Sequence, residues 1–218
     1  RRSSDLYFLR GSAELELGDY ESAKADFDQA ISMDPKNYDR LIEIYEALAA
    51  HGYREVGQEY LQNVLDTAKQ LDAYDSGRIY YYLGEYQKAY LALDEARDKG
   101  GADSYLYLGR AYAATGDYNY ASSVYNNYLS KQGPNAEIYN ELGLCEMAKK
   151  EYQNALAAFQ AGKQIEGNSL MQTLCFNEIV AYEYLEDYQQ AEVLMNAYLQ
   201  NYPDDQTAIR EQQFLSTR

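Results

Sequence analysis

Few side chains in this 218-residue chain are suited to covalent or metal chemistry, and they are scattered. His51 is the single histidine and precedes Gly52 in a segment that reads as a turn, where a lone histidine is expected to be a solvated side chain. Cys145 and Cys175 fall in separate apolar-patterned stretches. A reduced thiol there behaves as a small hydrophobe, so two buried free thiols are expected, with a disulfide as the alternative. No His pair or Cys cluster has zinc spacing. No Gly-rich loop opens a helix in the phosphate-binding pattern, and no histidine is placed to activate a Ser or Cys nucleophile. Asp204-Asp205 could hold a divalent ion weakly but reads better as a helix cap. These residues point away from an enzyme, and no cofactor or metal is expected. What remains is recognition chemistry: 26 tyrosines with no tryptophan, and 35 acids against 19 Lys and Arg.

The net charge of −16 argues against nucleic acid and anionic membrane surfaces and favours partners with some basic character. No run of apolar residues is long enough to span a bilayer. The chain opens at Arg1-Arg2-Ser3-Ser4 without an initiator Met or an apolar leader core. That opening suggests an internal start in a longer protein or a trimmed segment. It gives a weak preference for a bacterial extracytoplasmic or lipid-anchored setting, with the cytoplasm open.

The elements that must position these side chains announce themselves by a recurring beat of turn residue, acid, tyrosine and, three residues later, alanine. It stands at Gly18-Asp19-Tyr20 with Ala23, at Gly84-Glu85-Tyr86 with Ala89, and at Gly116-Asp117-Tyr118 with Ala121. It returns at Lys150-Glu151-Tyr152 with Ala155 and at Glu186-Asp187-Tyr188 with Ala191. The last four tyrosines are 32, 34 and 36 residues apart, and Tyr20 to Tyr86 is 66, two units with a degenerate one between. A fixed period of this size marks stacked supersecondary units. Around Gly116, Tyr105, Leu108, Gly109 and Tyr112 form one helical stripe and Ala121, Tyr125 and Tyr128 another. Gly116 suits a left-handed helix end, Asp117 suits an N-cap, and Gly133-Pro134 suits release of one helix and the start of the next. One unit is therefore a helical hairpin.

This pattern resembles the tetratricopeptide repeat: aromatic-x-x-Leu-Gly-x-x-Tyr, then Ala-x-x-x-aromatic, then Pro. Units are placed at about 4–37, 38–71, 70–103, 102–135, 136–169 and 172–205, with a capping helix over 206–218. The unit from Ala102 fits best, with Tyr105 in place of the usual Trp. The unit at 38–71 is degenerate: Gly57 stands for the small Ala, and Tyr53-Arg54 replaces the acid-tyrosine pair. Irregularity is expected near residues 66–76. The resemblance implies an all-α fold, an α-solenoid superhelix of six hairpins plus a cap, over essentially the whole chain as a single repeat domain.

Fourteen tyrosines occupy packing positions of the repeat and are expected to be scaffold. For the rest, the first-helix positions that line the family's concave groove carry over to Tyr74, Tyr81, Tyr82 and Tyr184, with Phe8, Phe176 and Met147. The same mapping brings in Arg78 and Arg110, equivalent positions of consecutive units, expected to lie close together. A guanidinium fork matches a carboxylate, and tyrosine offers rigid contact area. The competing expectation is that Arg78 pairs with Asp75 or another acid on its own helix, and Arg110 likewise with Asp103 or Asp117, as ordinary surface pairs. The family's basic clamp for carboxylate tails is absent, because its positions hold Phe8, Ser12, Glu43, Asp75, Tyr107 and Glu141. The resemblance thus implies a non-enzymatic scaffold that binds a protein or peptide. Self-association as a homo-oligomer and glycan or small-ligand binding by the groove tyrosines are the alternatives.

Overall fold

In the computed structural model, residues 3–99 and 103–218 are described, and among them thirteen α-helices and no strand form. In chain order these are α1 (Ser3–Glu16), α2 (Tyr20–Met33), α3 (Tyr38–Ala50), α4 (Arg54–Thr67), α5 (Ala73–Tyr82) and α6 (Tyr86–Asp98). There follow α7 (Ser104–Ala114), α8 (Tyr118–Gln132), α9 (Ala136–Ala148), α10 (Tyr152–Lys163), α11 (Met171–Tyr184), α12 (Tyr188–Asn201) and α13 (Gln206–Leu215). They pair as six hairpins and one closing helix, an all-α helical repeat. Ala102, the expected start of the fourth unit, and the opening Arg1-Arg2 lie outside the described residues. The chain divides into two compact units, Arg1–Ala96 and Arg97–Arg218. In the first, α1 packs on α2 and α3 on α4; in the second, α7 packs on α8, α9 on α10, α11 on α12, and α13 closes on α12.

The beat is the elbow of each hairpin, and every elbow spans three residues between its two helices. Its turn residue takes a positive φ in all six: Gly18, Gly52, Gly84 and Gly116 at 79° to 87°, Lys150 at 64° and Glu186 at 61°. The residue after it donates its amide to a carbonyl five positions back, as Asp19 to Glu14 (2.9 Å), Tyr53 to Leu48 (2.8 Å) and Asp187 to Tyr182 (3.0 Å). That is the Schellman closure of a helix end. The acid then caps the second helix. Asp19, Asp117 and Asp187 each accept from the amide three residues on, satisfying one of the amides that a helix start leaves free. The alanines are shut in: Ala23, Ala89, Ala121, Ala155 and Ala191 are fully buried. The elbow tyrosines find aromatic company. Tyr20 stacks on Tyr53 (centroids 4.1 Å apart), and Tyr152 on Tyr184 (5.0 Å).

In the first, fourth and fifth hairpins the helices approach closely because a glycine faces a ring. A Cβ on Gly109 would lie 2.2 Å from the Tyr125 ring, and one on Gly143 would lie 2.3 Å from Phe159. The degenerate second hairpin reverses the sizes. Tyr45 sits where four of the other five hairpins have glycine, and Gly57 of α4 gives way to it, since a Cβ there would lie 2.8 Å from the Tyr45 ring. Tyr53, lacking an acid side chain, makes no cap bond. The expected irregularity at 66–76 is the non-helical 68–72 followed by α5, only 10 residues long. The 36-residue step arises in the longer connection between α10 and α11 (164–170), where Gly167 takes φ 69° and the Asn168 side chain bonds Ile165 and Leu170.

Candidate functional site

The first helices carry a ladder of arginines, each held by acids and laid over a ring. Arg78 on α5 is buried. It donates to Asp39 of α3 (2.6 Å) and to Asp75 of its own helix, and lies 4.3 Å above the Tyr74 ring. Burial opposes its charge, but the bonds to Asp75 and Asp39 outweigh this and raise its pKa. Burial lifts the Asp75 carboxyl against the pull of Arg78. In the second unit, Arg110 on α7 donates to Glu141 (2.8 Å) and Glu137 (3.0 Å), both on α9, with Tyr107 beneath it. Asp75 is therefore the expected partner of Arg78, while Arg110 bonds the next first helix rather than Asp103 or Asp117. Arg78 and Arg110 fall in different units.

Sequence reasoning did not single out Arg40 or the cross-repeat acids. Arg40 on α3 reaches back to Asp5 of α1 (2.9 Å), pairs with Glu43 (3.0 Å) and lies 4.1 Å over the Phe8 ring. Between α9 and α11 the same job falls to an amide pair, Asn177 donating to Asn140 (2.8 Å). A signal was present: acids recur at the repeat period, at Asp5 and Asp39 and again at Asp103 and Glu137. These contacts tie consecutive first helices together inside each unit. Such charge-assisted bonds fix register, because a guanidinium fork is geometrically demanding.

The expected aromatic residues divide by what surrounds them. Phe8 and Phe176 are half-buried, against Phe27 (6.1 Å) and Tyr198 (5.7 Å). Met147 packs partly against the cluster of Ala155, Leu156 and Phe159. Tyr184 is exposed beyond its stack on Tyr152. Tyr81 and Tyr82 line an open cleft of about 520 Å³ in the first unit, between the elbows of the second and third hairpins. Tyr45, Tyr86, Glu46, Gln58 and Arg54 also line it. The rings form a continuous chain: Tyr45 to Tyr82 at 5.0 Å, Tyr82 to Tyr81 at 5.1 Å, Tyr81 to Tyr86 at 5.9 Å. The Tyr82 hydroxyl donates to Glu46 (2.7 Å), and Arg54 donates to the Tyr45 hydroxyl (3.2 Å). Tyr45 and Arg54 reach this cleft because the second hairpin departs from the repeat pattern.

Both cysteines are free, and burial pushes the Cys145 thiol up to about 12. The His51 ring donates to the Ala47 carbonyl (2.8 Å) and closes the end of α3. Asp205 caps α13 through the amides of Thr207 and Ala208. Among the described residues no group of three or more metal-ligating side chains assembles, and no helix is long and apolar enough to cross a membrane.

Models described as tetratricopeptide repeat match residues 4–37 and, for a second such model, 74–121 and 108–168. Together they cover more than half of the chain. No curated protein sequence matches it. Among solved structures, the chain is similar to PilW, described as a widely conserved type IV pilus biogenesis factor, at 18% identity over 99% of each chain with a TM-score of 0.65. It is similar to a thermophilic repeat protein of Thermus thermophilus at 15% identity, over 99% of this chain and 100% of that one, TM-score 0.61. It is also similar to YrrB, described as having an unusual peptide-binding site, at 18% identity over 86% and 97%, TM-score 0.56. At these identities the likeness is one of fold.

Proposed function

The chain belongs to the tetratricopeptide repeat family, and from that premise we propose that it is a peptide-binding scaffold whose recognition surface is the first-helix face. The observation that carries this reading is the tyrosine cleft. Four rings, one carboxylate, one amide and one guanidinium converge on about 520 Å³ of open space, a size and composition suited to anchoring side chains of a bound segment. In the first unit Tyr81 and Tyr82 supply contact area; in the second, exposed Tyr184 offers contact area of its own. Each within its own unit, Arg78 and Arg110 hold first helices in register, and Arg78 leaves its partner Asp39 open to a segment with basic character. YrrB, with its peptide-binding site, is a precedent for a fold of this kind.

The test is a random-peptide display screen against the folded chain, followed by affinity measurement with the recovered peptides. A Tyr81→Ala, Tyr82→Ala double variant is expected to bind them at least about tenfold more weakly, as loss of aromatic anchors does, with unchanged helical circular dichroism. Peptides that bind the variant as well as the parent sink the reading. Light scattering at tens of micromolar separates a monomeric scaffold from a self-assembling one.

A further inference from the structure

The fifth hairpin lacks side chains that fill space in the other hairpins. Counted from the elbow residue, the fourth position back on the first helix is Leu48, Tyr80, Tyr112 and Tyr182 in the second, third, fourth and sixth hairpins. The fourth position forward on the second helix meets it: the Tyr120 ring lies 4.2 Å from Tyr112, and the Lys88 ammonium 5.5 Å from the Tyr80 ring. Tyr182 meets α10, whose Gln160 donates to its hydroxyl (3.3 Å). In the first hairpin the position holds Glu14, which is paired with Arg10 (3.8 Å). In the fifth hairpin the two positions hold Glu146 and Asn154, and the register of Gln160 falls on the shorter Asn126 of α8. Ala157 and Ala158 stand where α12 has Val193 and Leu194. The missing volume is left as an open cavity of about 330 Å³ between α8, α9 and α10, lined by these residues and Leu142.

We infer that this cavity is a binding site for a para-substituted phenol, the ring that other hairpins supply from their own chain. The polar wall decides the chemistry. Glu146 is only 7% exposed, and its Oε1 accepts from the Ser122 hydroxyl (2.9 Å) and meets the Lys149 ammonium (2.7 Å). Its charge is already balanced, so a second cation gains little there. A neutral hydroxyl is the better match. Both contacts fall on Oε1, which leaves Oε2 as the acceptor for a guest, and an O–H bond to a carboxylate is stronger than one between neutral groups. Asn126 and Asn154 add amides, while Leu142, Ala157 and Ala158 supply the apolar walls that a ring needs. The volume lies at the small end of the range for ligand cavities, which suits one ring and its substituent. The cavity belongs to the second unit and the tyrosine cleft to the first, and the inference does not depend on the peptide-scaffold reading.

The probes are p-cresol, N-acetyltyrosinamide and N-acetylphenylalaninamide, titrated into the intact isotope-labelled chain and followed by NMR. The side-chain amides of Asn126 and Asn154 are expected to shift with either phenol, at a dissociation constant on the order of 1 mM. The phenylalanine compound is expected to bind at least about tenfold more weakly, for want of the bond to the carboxylate. Tighter binding of the tyrosine compound than of p-cresol assigns the ring to a tyrosine side chain, and the reverse assigns it to a free phenol; both support the site. Ala157→Leu fills the cavity from an exposed position. It is expected to weaken binding at least about tenfold by steric blocking, with helicity and thermal midpoint intact. Glu146→Tyr with Asn154→Tyr restores the pair seen at Tyr112 and Tyr120 and is expected to abolish binding. The assignment is overturned by absence of any shift at tens of millimolar phenol, which would leave the cavity to water alone. It is also overturned by equal binding of the phenylalanine compound, or by equal affinity of the parent and the Ala157→Leu chain.

Discussion

At the scale of single residues, the elbow shows where this sequence departs from its own best solution. Four elbows give the left-handed position to glycine, and two give it to Lys150 and Glu186. For an L-residue that conformation costs about 1–2 kcal/mol, and part of this is offset because glycine loosens the unfolded chain. Lys150→Gly and Glu186→Gly are each expected to raise stability by roughly 0.5–1 kcal/mol, seen as a higher urea midpoint at unchanged slope. The opposite sign applies inside the hairpins. A Cβ on Gly143 meets the Phe159 ring, so Gly143→Val should cost about 1–3 kcal/mol or more by overpacking and lower the midpoint. Both positions were legible in the sequence, because the beat and the Gly-to-aromatic spacing are local. Of the arginine partners only Asp75 was, three residues from Arg78 on its own helix; Asp39, Glu137 and Glu141 were not. Arg78 and Arg110 find acids one repeat away, and pairing across repeats is decided by how helices stack rather than by spacing along one helix. Tyr45 was hidden for a related reason: it exchanges sizes with Gly57, and only the pair makes sense of either residue.

At the scale of an element, α13 shows how one short helix covers the apolar face of the hairpin before it. Its Ala208 and Leu215 are buried with Ile179, Met195 and Tyr198, and so cover an apolar face that would otherwise be wet. The stripe in its sequence and the Asp205 cap made this helix readable in advance. Its electrostatic contact with α11 was not readable. Glu183 on α11, half-buried and close to Glu211 of α13, has its carboxyl pushed up to about 7, first by burial and then by the Glu211 charge. The ordinary value is 4.5. Between these two values the folded chain holds a proton that the unfolded chain has already released, so this group's contribution to stability falls as pH rises through the window and levels off above it. Glu183→Gln should therefore match the parent near pH 4 and be more stable than it at pH 8. Urea midpoints of both proteins at the two pH values, with hydrogen exchange of α13 amides, check this; equal midpoints at pH 8 would remove the carboxyl pair as a weak point of the cap.

At the scale of the whole molecule, two electrostatic effects of opposite sign compete. The arginine clamps of Arg40, Arg78 and Arg110 attract at contact distance and are partly withdrawn from water, so dissolved salt weakens them little. The excess of negative charge, 16 in all, repels over longer distances across exposed surface, where screening is effective. Raising sodium chloride from about 0.05 M to about 0.5 M shortens the screening length from roughly 14 Å to roughly 4 Å, which spares the clamps and removes the repulsion. The net expectation is stabilisation. For a chain of this size about 1 kcal/mol corresponds to a rise of roughly 2–4 °C in the thermal midpoint, and a shift of that order should appear in calorimetry. Neutralising two exposed acids, Glu59→Gln with Glu166→Gln, should raise the low-salt midpoint and shrink the gain from salt, because part of the repulsion is then already gone. A midpoint that falls with salt would mean that the clamps, not the surplus charge, dominate the electrostatics of the fold. In that case the acidic surface would be held in place chiefly by its arginines, and a basic partner would have to compete with them for Asp39, Glu137 and Glu141.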